Sequence, residues 1–529
     1  MRRIDDLLIG KHSRTKNSVL NFTTGIGGQI LNVVLQFLVR TVFIQTLGKS
    51  YLGINGVFSN VLSMLSLAEL GVGSAILYKL YEPISRNDYK RITALMHFYK
   101  TVYRYIGIVV AALGLLLIPF LPYLAKDYGK LASLKINAVF IFVLFLSRSV
   151  ASYFFFAYKS GIIKANQKEY IINIVKYFGT IFASVLQVIL LLLYHNFTLY
   201  VAVLIVTVIC ENVVIGMIAD RMFPYINDIP QEKLKKSEII GIFKDCGALL
   251  LYRLNRVVLK ATDNLVLSSF FGFDMVALYS NYYIFYTTID TILNRVFGSI
   301  THSLGNLHIE KNKEHEYNIF KTVNLITAIL GGTAGIGIFV VSDELISAWI
   351  GEEWMIAQPF SALMGFEIYT LAVRHEFTRY RSSMGLFQQA KYRPLAGMII
   401  NLVLSVLLVR VWGICGVLVG TIAADWLTLV WYDPIITHKY GFKNCAKIKG
   451  YFLRFLKYTG TVILCGFAVN ALCGVFFCGK GWLSVVVHVL ICAVAVPCSI
   501  MLVSWKTWEG QYILTVGRRE IARISKRLF

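Results

Sequence analysis

The chain contains "YKSGIIKANQKEY" at Tyr158–Tyr170 and "YRSSMGLFQQAKY" at Tyr380–Tyr392, two stretches related by a shift of 222 residues. Tyr158, Ser160, Gln167 and Tyr170 recur as Tyr380, Ser382, Gln389 and Tyr392, and Lys159 recurs as Arg381. A weaker match at a shift of 224 sets "LGKSYLGINGVFSN", from Leu47, against "FGFDMVALYSNYYI", from Phe271, with Gly48 on Gly272. Either match alone is within chance. Two at nearly one shift point to a duplicated unit.

The segments around these stretches say what is duplicated. Of the 529 residues 57% are hydrophobic and only 15% charged, with a mean hydropathy of +0.64, against about 25% charged in an average soluble domain. Apolar runs near the ~20 residues that span a bilayer recur throughout. There are fourteen: 19–44, 52–78, 102–124, 136–158, 171–194, 198–219, 247–272, 276–300, 319–341, 355–378, 395–411, 413–433, 452–477 and 482–504. The matched stretches join runs one to two with seven to eight, and four to five with ten to eleven, so the repeating unit is six spans. An even number preserves orientation and gives parallel halves about an axis along the membrane normal.

The expected architecture is an all-α polytopic membrane protein of about fourteen helices, two pseudo-symmetric six-helix halves plus two C-terminal helices. Residues 1–220 form the first half, 221–246 a cytoplasmic linker, 247–440 the second half, and 441–529 two additional helices with a basic cytoplasmic tail. Loops are short, the longest outer one running from about 342 to 354, so no soluble domain is inserted. The basic N-terminal segment precedes an apolar stretch too long for a signal peptide and without a small-residue cleavage site, and reads as the first span.

The net charge of +23 raises the question of nucleic acid. With the N-terminus inside, only Lys49, Lys126, Lys130, Lys135, Arg410 and Lys480 fall in outer loops, and most other basic residues lie at cytoplasmic ends. That asymmetry places both termini in the cytoplasm, and the anionic inner leaflet explains the charge without nucleic acid. Trp349, Trp354, Trp412 and Trp482 fall near the outer boundary and Trp431, Trp505 and Trp508 near the inner one, as an aromatic belt requires. The nine cysteines show no metal-ligand spacing, although Cys473 and Cys478 are near enough in sequence to form a disulfide.

The segment Arg381–Pro434, "RSSMGLFQQAKYRPLAGMIINLVLSVLLVRVWGICGVLVGTIAADWLTLVWYDP", resembles the Wzx-like oligosaccharide flippases of the multidrug/oligosaccharidyl-lipid/polysaccharide exporter superfamily. So do "LSLAELGVGSAILYKLYEPISRND", from Leu65, and "TDNLVLSSFFGFDMVALYSNYYIFY", from Thr262. The resemblance covers nearly the whole chain and implies the same plan of six, six and two helices.

Inside run seven, "YRLNRVVLKATDN" carries Arg253, Arg256, Lys260 and Asp263 at spacings of 3, 4 and 3, which places them within roughly 80° of one helix face. Four such groups facing lipid would cost on the order of 10 kcal/mol, so the face must meet protein or water. One reading is a salt-bridge stripe, with Lys260 on Asp263 and the arginines on Asp290 or Glu69. The other is an anion-binding cavity wall, favoured because three cations face one anion. The resemblance implies that runs one and seven line one cavity, which would set Arg40 opposite the stripe in a ladder of cations.

Arginine offers a planar fork that grips phosphate, so the expected substrate is a polyprenyl-diphosphate oligosaccharide flipped from the cytoplasmic to the outer leaflet by alternating access. Arg253, Arg256, Lys260, Arg40 and Arg148 are the candidate diphosphate contacts. Asp263, Asp290 and Glu69 are candidates for ion coupling or for salt bridges across the cavity, a proton or sodium gradient being the driving force with no cofactor and no bound metal. Arg295 reads as snorkelling, Glu367 and Asp425 as structural partners, and Tyr279, Tyr282, Tyr283 and Tyr286 as anchors at the membrane interface more than as sugar platforms.

Other classes fit less well. "LGKS" at Leu47 has Phe43 where a P-loop has its first glycine, which argues against an ATP-driven pump. A membrane polymerase or ligase would need a sizeable outer loop with an acid/base pair, so no enzyme is expected. A multidrug extruder of the same fold should prefer carboxylates for cationic drugs, and a lipid II flippase would use the same cations. The expected location is a bacterial cytoplasmic membrane, with membrane lipids and other polysaccharide-assembly proteins as partners.

Overall fold

The structure, a computed structural model, describes residues 14–66, 72–129, 131, 137–228, 230, 232, 234–242, 262–309, 312–386, 388–442, 447–476 and 481–528. These residues are helical with no strand among them. Many helices start where a short polar side chain replaces a missing backbone partner. Asp88 caps α4 (Tyr89–Leu117), Asn137 caps α5 (Ala138–Phe154), Asn196 caps α8 (Phe197–Met222) and Asn312 caps α10 (Lys313–Ile350), each accepting a backbone N–H at 2.8–3.2 Å.

Between and beyond them lie α1 (Arg14–Leu47), α2 (Lys49–Leu65), α3 (Val72–Arg86), α6 (Ser160–Ala165), α7 (Glu169–Tyr194), α9 (Phe273–Ile309), α11 (Phe360–Ser383), α12 (Arg393–Ile436), α13 (Ile448–Phe476), α14 (Trp482–Ser504) and α15 (Trp508–Leu528). The protein is a multi-pass membrane protein. Among the described residues, eight helical stretches are long and apolar enough to cross a bilayer, nine if the bent pair Ala138–Phe154 and Ala157–Ala165 is one span.

Fewer stretches pass that test than the fourteen expected runs, for identifiable reasons. Run 247–272 falls largely outside the described residues, and run 52–78 covers α2, α3 and undescribed residues between them. Runs 276–300 and 355–378 are helical in α9 and α11, but each carries a polar cluster. Runs 395–411 and 413–433 merge in α12, although a 44-residue helix would be about 66 Å long, twice the hydrocarbon thickness of about 30 Å. Gly413 breaks it with φ 57° and ψ −139°, a conformation essentially reserved for glycine. Beyond it the chain doubles back. Asn401 donates to Thr421 at 2.8 Å, and a Cβ on Gly420 would lie 2.6 Å from Ser405 Oγ. The two limbs of α12 are antiparallel neighbours, hence two spans.

The chain divides into two compact units, Met1–Ala277 and Leu278–Phe529. In the first, α1 packs on α7, α7 on α8, and α5 on both α4 and α8. Gly48, between α1 and α2, has φ 84°, and its sequence match Gly272 has φ 83°. Residues just after each turn meet, with Ser50 donating to Asp274 at 2.7 Å and Phe273 N donating to Asp127 at 2.9 Å. In the second unit α10 is the centre, packed by α11, α13, α14 and α15. Gly335 of α10 and Gly365 of α11 allow that approach, since a Cβ on either would lie 2.4–2.5 Å from the other's carbonyl oxygen.

The stretches at Tyr158 and Tyr380 also behave alike inside their own units. Tyr158 and Tyr380 are buried, and the basic residue after each is buried against an aspartate at the end of a later helix. Lys159 Nζ lies 2.5 Å from Asp220, and Arg381 lies 3.4 Å from Asp433, which Arg393 approaches at 3.3 Å from its other side.

Candidate functional site

Four predicted site residues, Arg253, Arg256, Lys260 and Glu69, lie outside the described residues. Asp263, on the helical residues 262–271, is buried. Cys473 is a buried free thiol, whereas Cys478 is outside the described residues.

In the first unit Arg40 and Arg148 share a neighbour. Both are half-buried and both lie within electrostatic range of Tyr200, and Arg148 also of Glu211. Glu211 is in turn within range of Lys176. These side chains form a polar file through one helical unit, and it adjoins a cavity of about 490 Å³. Lys164, Lys176, Glu211, Asn212, Tyr99 and Tyr103 contribute to the cavity wall, as do Ser160 and Gly161 of the first repeated stretch. A charge buried in a low-dielectric bundle is costly unless an opposite charge or hydrogen-bond partner meets it. Among the described residues the half-buried Arg40 and Arg148, with Lys164 and the exposed Lys176 at the cavity, outnumber Glu211 and the Glu169 carboxylate that lies 3.9 Å from Lys164.

The second unit holds a separate polar core. Arg374 of α11 donates to Glu367 at 3.0 Å and also to Asp425 of α12, while Tyr286 donates to Glu367 at 3.3 Å. Beside it His375 Nε2 lies 2.8 Å from Oδ1 of Asp290. Glu376, 2% exposed, accepts from Asn324 of α10. Asp290, Glu367 and Asp425 thus meet one arginine and one histidine in this core. Arg295 is exposed. Among the described residues no group of three histidines, cysteines or acidic residues could hold a metal.

The tyrosine run departs from its expectation as interface anchors. Tyr279, Tyr282 and Tyr286 are buried at 3%, 0% and 6% exposure. Tyr283 stacks between Tyr279 and Tyr286 with centroids 5.7 and 5.4 Å away. Tyr282 donates to Asp343 at 2.6 Å and accepts from Ile356 N. Helical spacing turns Tyr279, Tyr282 and Tyr286 into the unit, where the hydroxyls of Tyr282 and Tyr286 donate to Asp343 and Glu367.

Sequence reasoning passed over Arg374, His375 and Glu376, because "RHEFTRYR" at the end of run ten reads as a basic flank. It also passed over Lys164, Lys176 and Glu211. The available signal was Glu211 itself, an acidic residue within the apolar run 198–219, which demands a basic partner.

No protein-family model and no curated protein sequence matches the chain. Solved structures do. A lipid II flippase, MurJ, in an inward closed conformation superposes with a TM-score of 0.62 at 13% identity, covering 91% of this chain and 99% of its own. An inward-facing multidrug resistance MATE family transporter of the MOP superfamily gives a TM-score of 0.56 at 14% identity, with 78% and 96% covered. An outward-facing MATE transporter of that superfamily gives 0.52 at 14% identity, with 83% and 99% covered. The fold is therefore that of membrane flippases and multidrug transporters. It extends over nearly the full length of each.

Proposed function

We propose that this protein is a flippase that moves a polyprenyl-diphosphate-linked oligosaccharide from the cytoplasmic to the outer leaflet of a bacterial cytoplasmic membrane for surface polysaccharide assembly. The observation that carries the reading is the polar file of the first unit, where Arg40 and Arg148 lie near Tyr200, Arg148 and Lys176 lie near Glu211, and Lys164 and Lys176 line the adjoining cavity. A diphosphate is a fixed anion that guanidinium groups hold well. The same interior disfavours a cationic drug, the cargo expected of a multidrug extruder. The fold's likeness to transporters caught facing inward and outward supports alternating access. The protein acts as a transporter and not as an enzyme, with both termini cytoplasmic and lipids and assembly proteins as its partners.

The driving force in this reading is a proton or sodium gradient with no cofactor. Asp290 beside His375 is the described pair able to take up a cation, and Arg256 of the undescribed segment joins the diphosphate contacts with Arg253 and Lys260. The test is transport in proteoliposomes of a lipid-diphosphate oligosaccharide and of a cationic dye. The lipid-linked sugar should cross, and Arg148→Gln and Arg256→Ala should each slow it at least about tenfold, one lost charge-assisted contact being worth about 1.5–3 kcal/mol. Asp290→Asn should abolish the dependence on the gradient. Movement of the dye alone would assign the protein to the drug extruders.

A further inference from the structure

We propose that the cavity of about 490 Å³ within the first unit is a binding site for an acidic pyranose. This rests on the flippase reading, in which it receives the phosphate-bearing first sugar of the lipid-linked head group.

The cavity has the size of a small-molecule site, within the usual range of about 300–1,000 Å³. Its wall combines three chemistries that a charged sugar uses together. Tyr99 and Tyr103 stand edge to face with centroids 4.7 Å apart and give a rigid apolar surface for the C–H face of a ring. Glu211 and Asn212 supply acceptors and donors for ring hydroxyls. Lys164 and Lys176 supply two ammonium groups against one carboxylate, which selects a ligand that is itself an anion.

The wall is held in place. Tyr99 is wedged between Gly73 and Gly161, where a Cβ would lie 2.9 Å from its hydroxyl and 2.6 Å from its ring. Gly161 and Lys164 belong to the repeated stretch, and Lys159 beside them is anchored by Asp220 and by Asn227 at 3.2 Å. Lys164 touches Glu169 only at 3.9 Å and near the surface, too loosely to keep it from a ligand. The helix ends that form the cavity are those the charge asymmetry assigns to the cytoplasm. Through Glu211 and Arg148 the site adjoins the cation file leading to Arg40.

The experiment is calorimetric titration of the full-length detergent-purified protein with a hexose 1-phosphate, the neutral hexose and inorganic phosphate, alongside the proteoliposome assay. The hexose 1-phosphate should bind, and both the neutral hexose and inorganic phosphate should bind at least about tenfold more weakly. Lys176→Gln and Lys164→Gln should each weaken hexose 1-phosphate binding at least about tenfold with the thermal midpoint unchanged. Absence of binding, or equal binding of inorganic phosphate alone, overturns the site. A Lys176→Gln protein that loses hexose 1-phosphate yet flips lipid-linked glycan at the wild-type rate overturns its assignment to the head group and points to a free sugar phosphate. If the wild type binds hexose 1-phosphate but flips no lipid-linked glycan, the proposed function falls while the site stands.

Discussion

Replacing Asp433 by asparagine should be among the most damaging single changes in the second unit. Asp433 is fully buried, and the guanidinium groups of Arg381 and Arg393, with side chains only 5% and 8% exposed, approach it from two directions at 3.4 and 3.3 Å. These contacts meet the distance for ion pairs, yet the carboxylate oxygens lack hydrogen-bond geometry, so charge and not directional bonding holds the cluster. In asparagine the two guanidinium groups keep their positive charges with no anion between them. Removing one partner of a buried pair costs about 3–5 kcal/mol. At about 2–4 °C per kcal/mol for a unit of this size, the thermal midpoint in detergent, followed by circular dichroism, should fall by roughly 6–20 °C. Adding Arg381→Gln to Asp433→Asn should recover much of the loss by removing one stranded charge. A midpoint within about 2 °C of wild type, or a double variant no better than the single one, would refute the reasoning. The counterpart in the first unit should respond less to Asp220→Asn, because Asp220 is 37% exposed and water reaches the pair.

Gly413→Ala forces a side chain into a glycine-only conformation at the turn of the α12 hairpin and should cost about 1–3 kcal/mol, read as a lowered midpoint; an unchanged midpoint would mean the hairpin turns elsewhere. At Glu238, outside the spans, the hydrogen bond from Lys235 N, and secondarily Arg91, hold the carboxyl below its ordinary range. A lowered folded pKa stabilises above the unfolded value and loses that contribution as pH falls through the folded one. Hydrogen-exchange protection of residues 236–242 should therefore fall on acidification below the ordinary carboxylate range, and Glu238→Gln should remove the pH dependence.

The membrane class, the helical architecture and most of the helix positions were legible because each depends on local composition. An apolar run long enough to span, a capping asparagine or a glycine at a turn acts within a few residues. The matched stretches were legible for the same reason; Gly48 and Gly272 share a positive φ, and Lys159 and Arg381 are both buried. Which polar groups meet was a different matter. Arg374 bridges Glu367 on its own helix and Asp425 on another, Arg148 lies within electrostatic range of Tyr200 and Glu211 from elsewhere in the chain, and Tyr279, Tyr282 and Tyr286 turn inward. Charge partners and cavities come from helix rotation and packing, which depend on surfaces brought together from distant parts of the chain. The sequence alone determined that buried charges exist and need partners. Only the tertiary structure decided which partners they have, because it sets which helix faces meet.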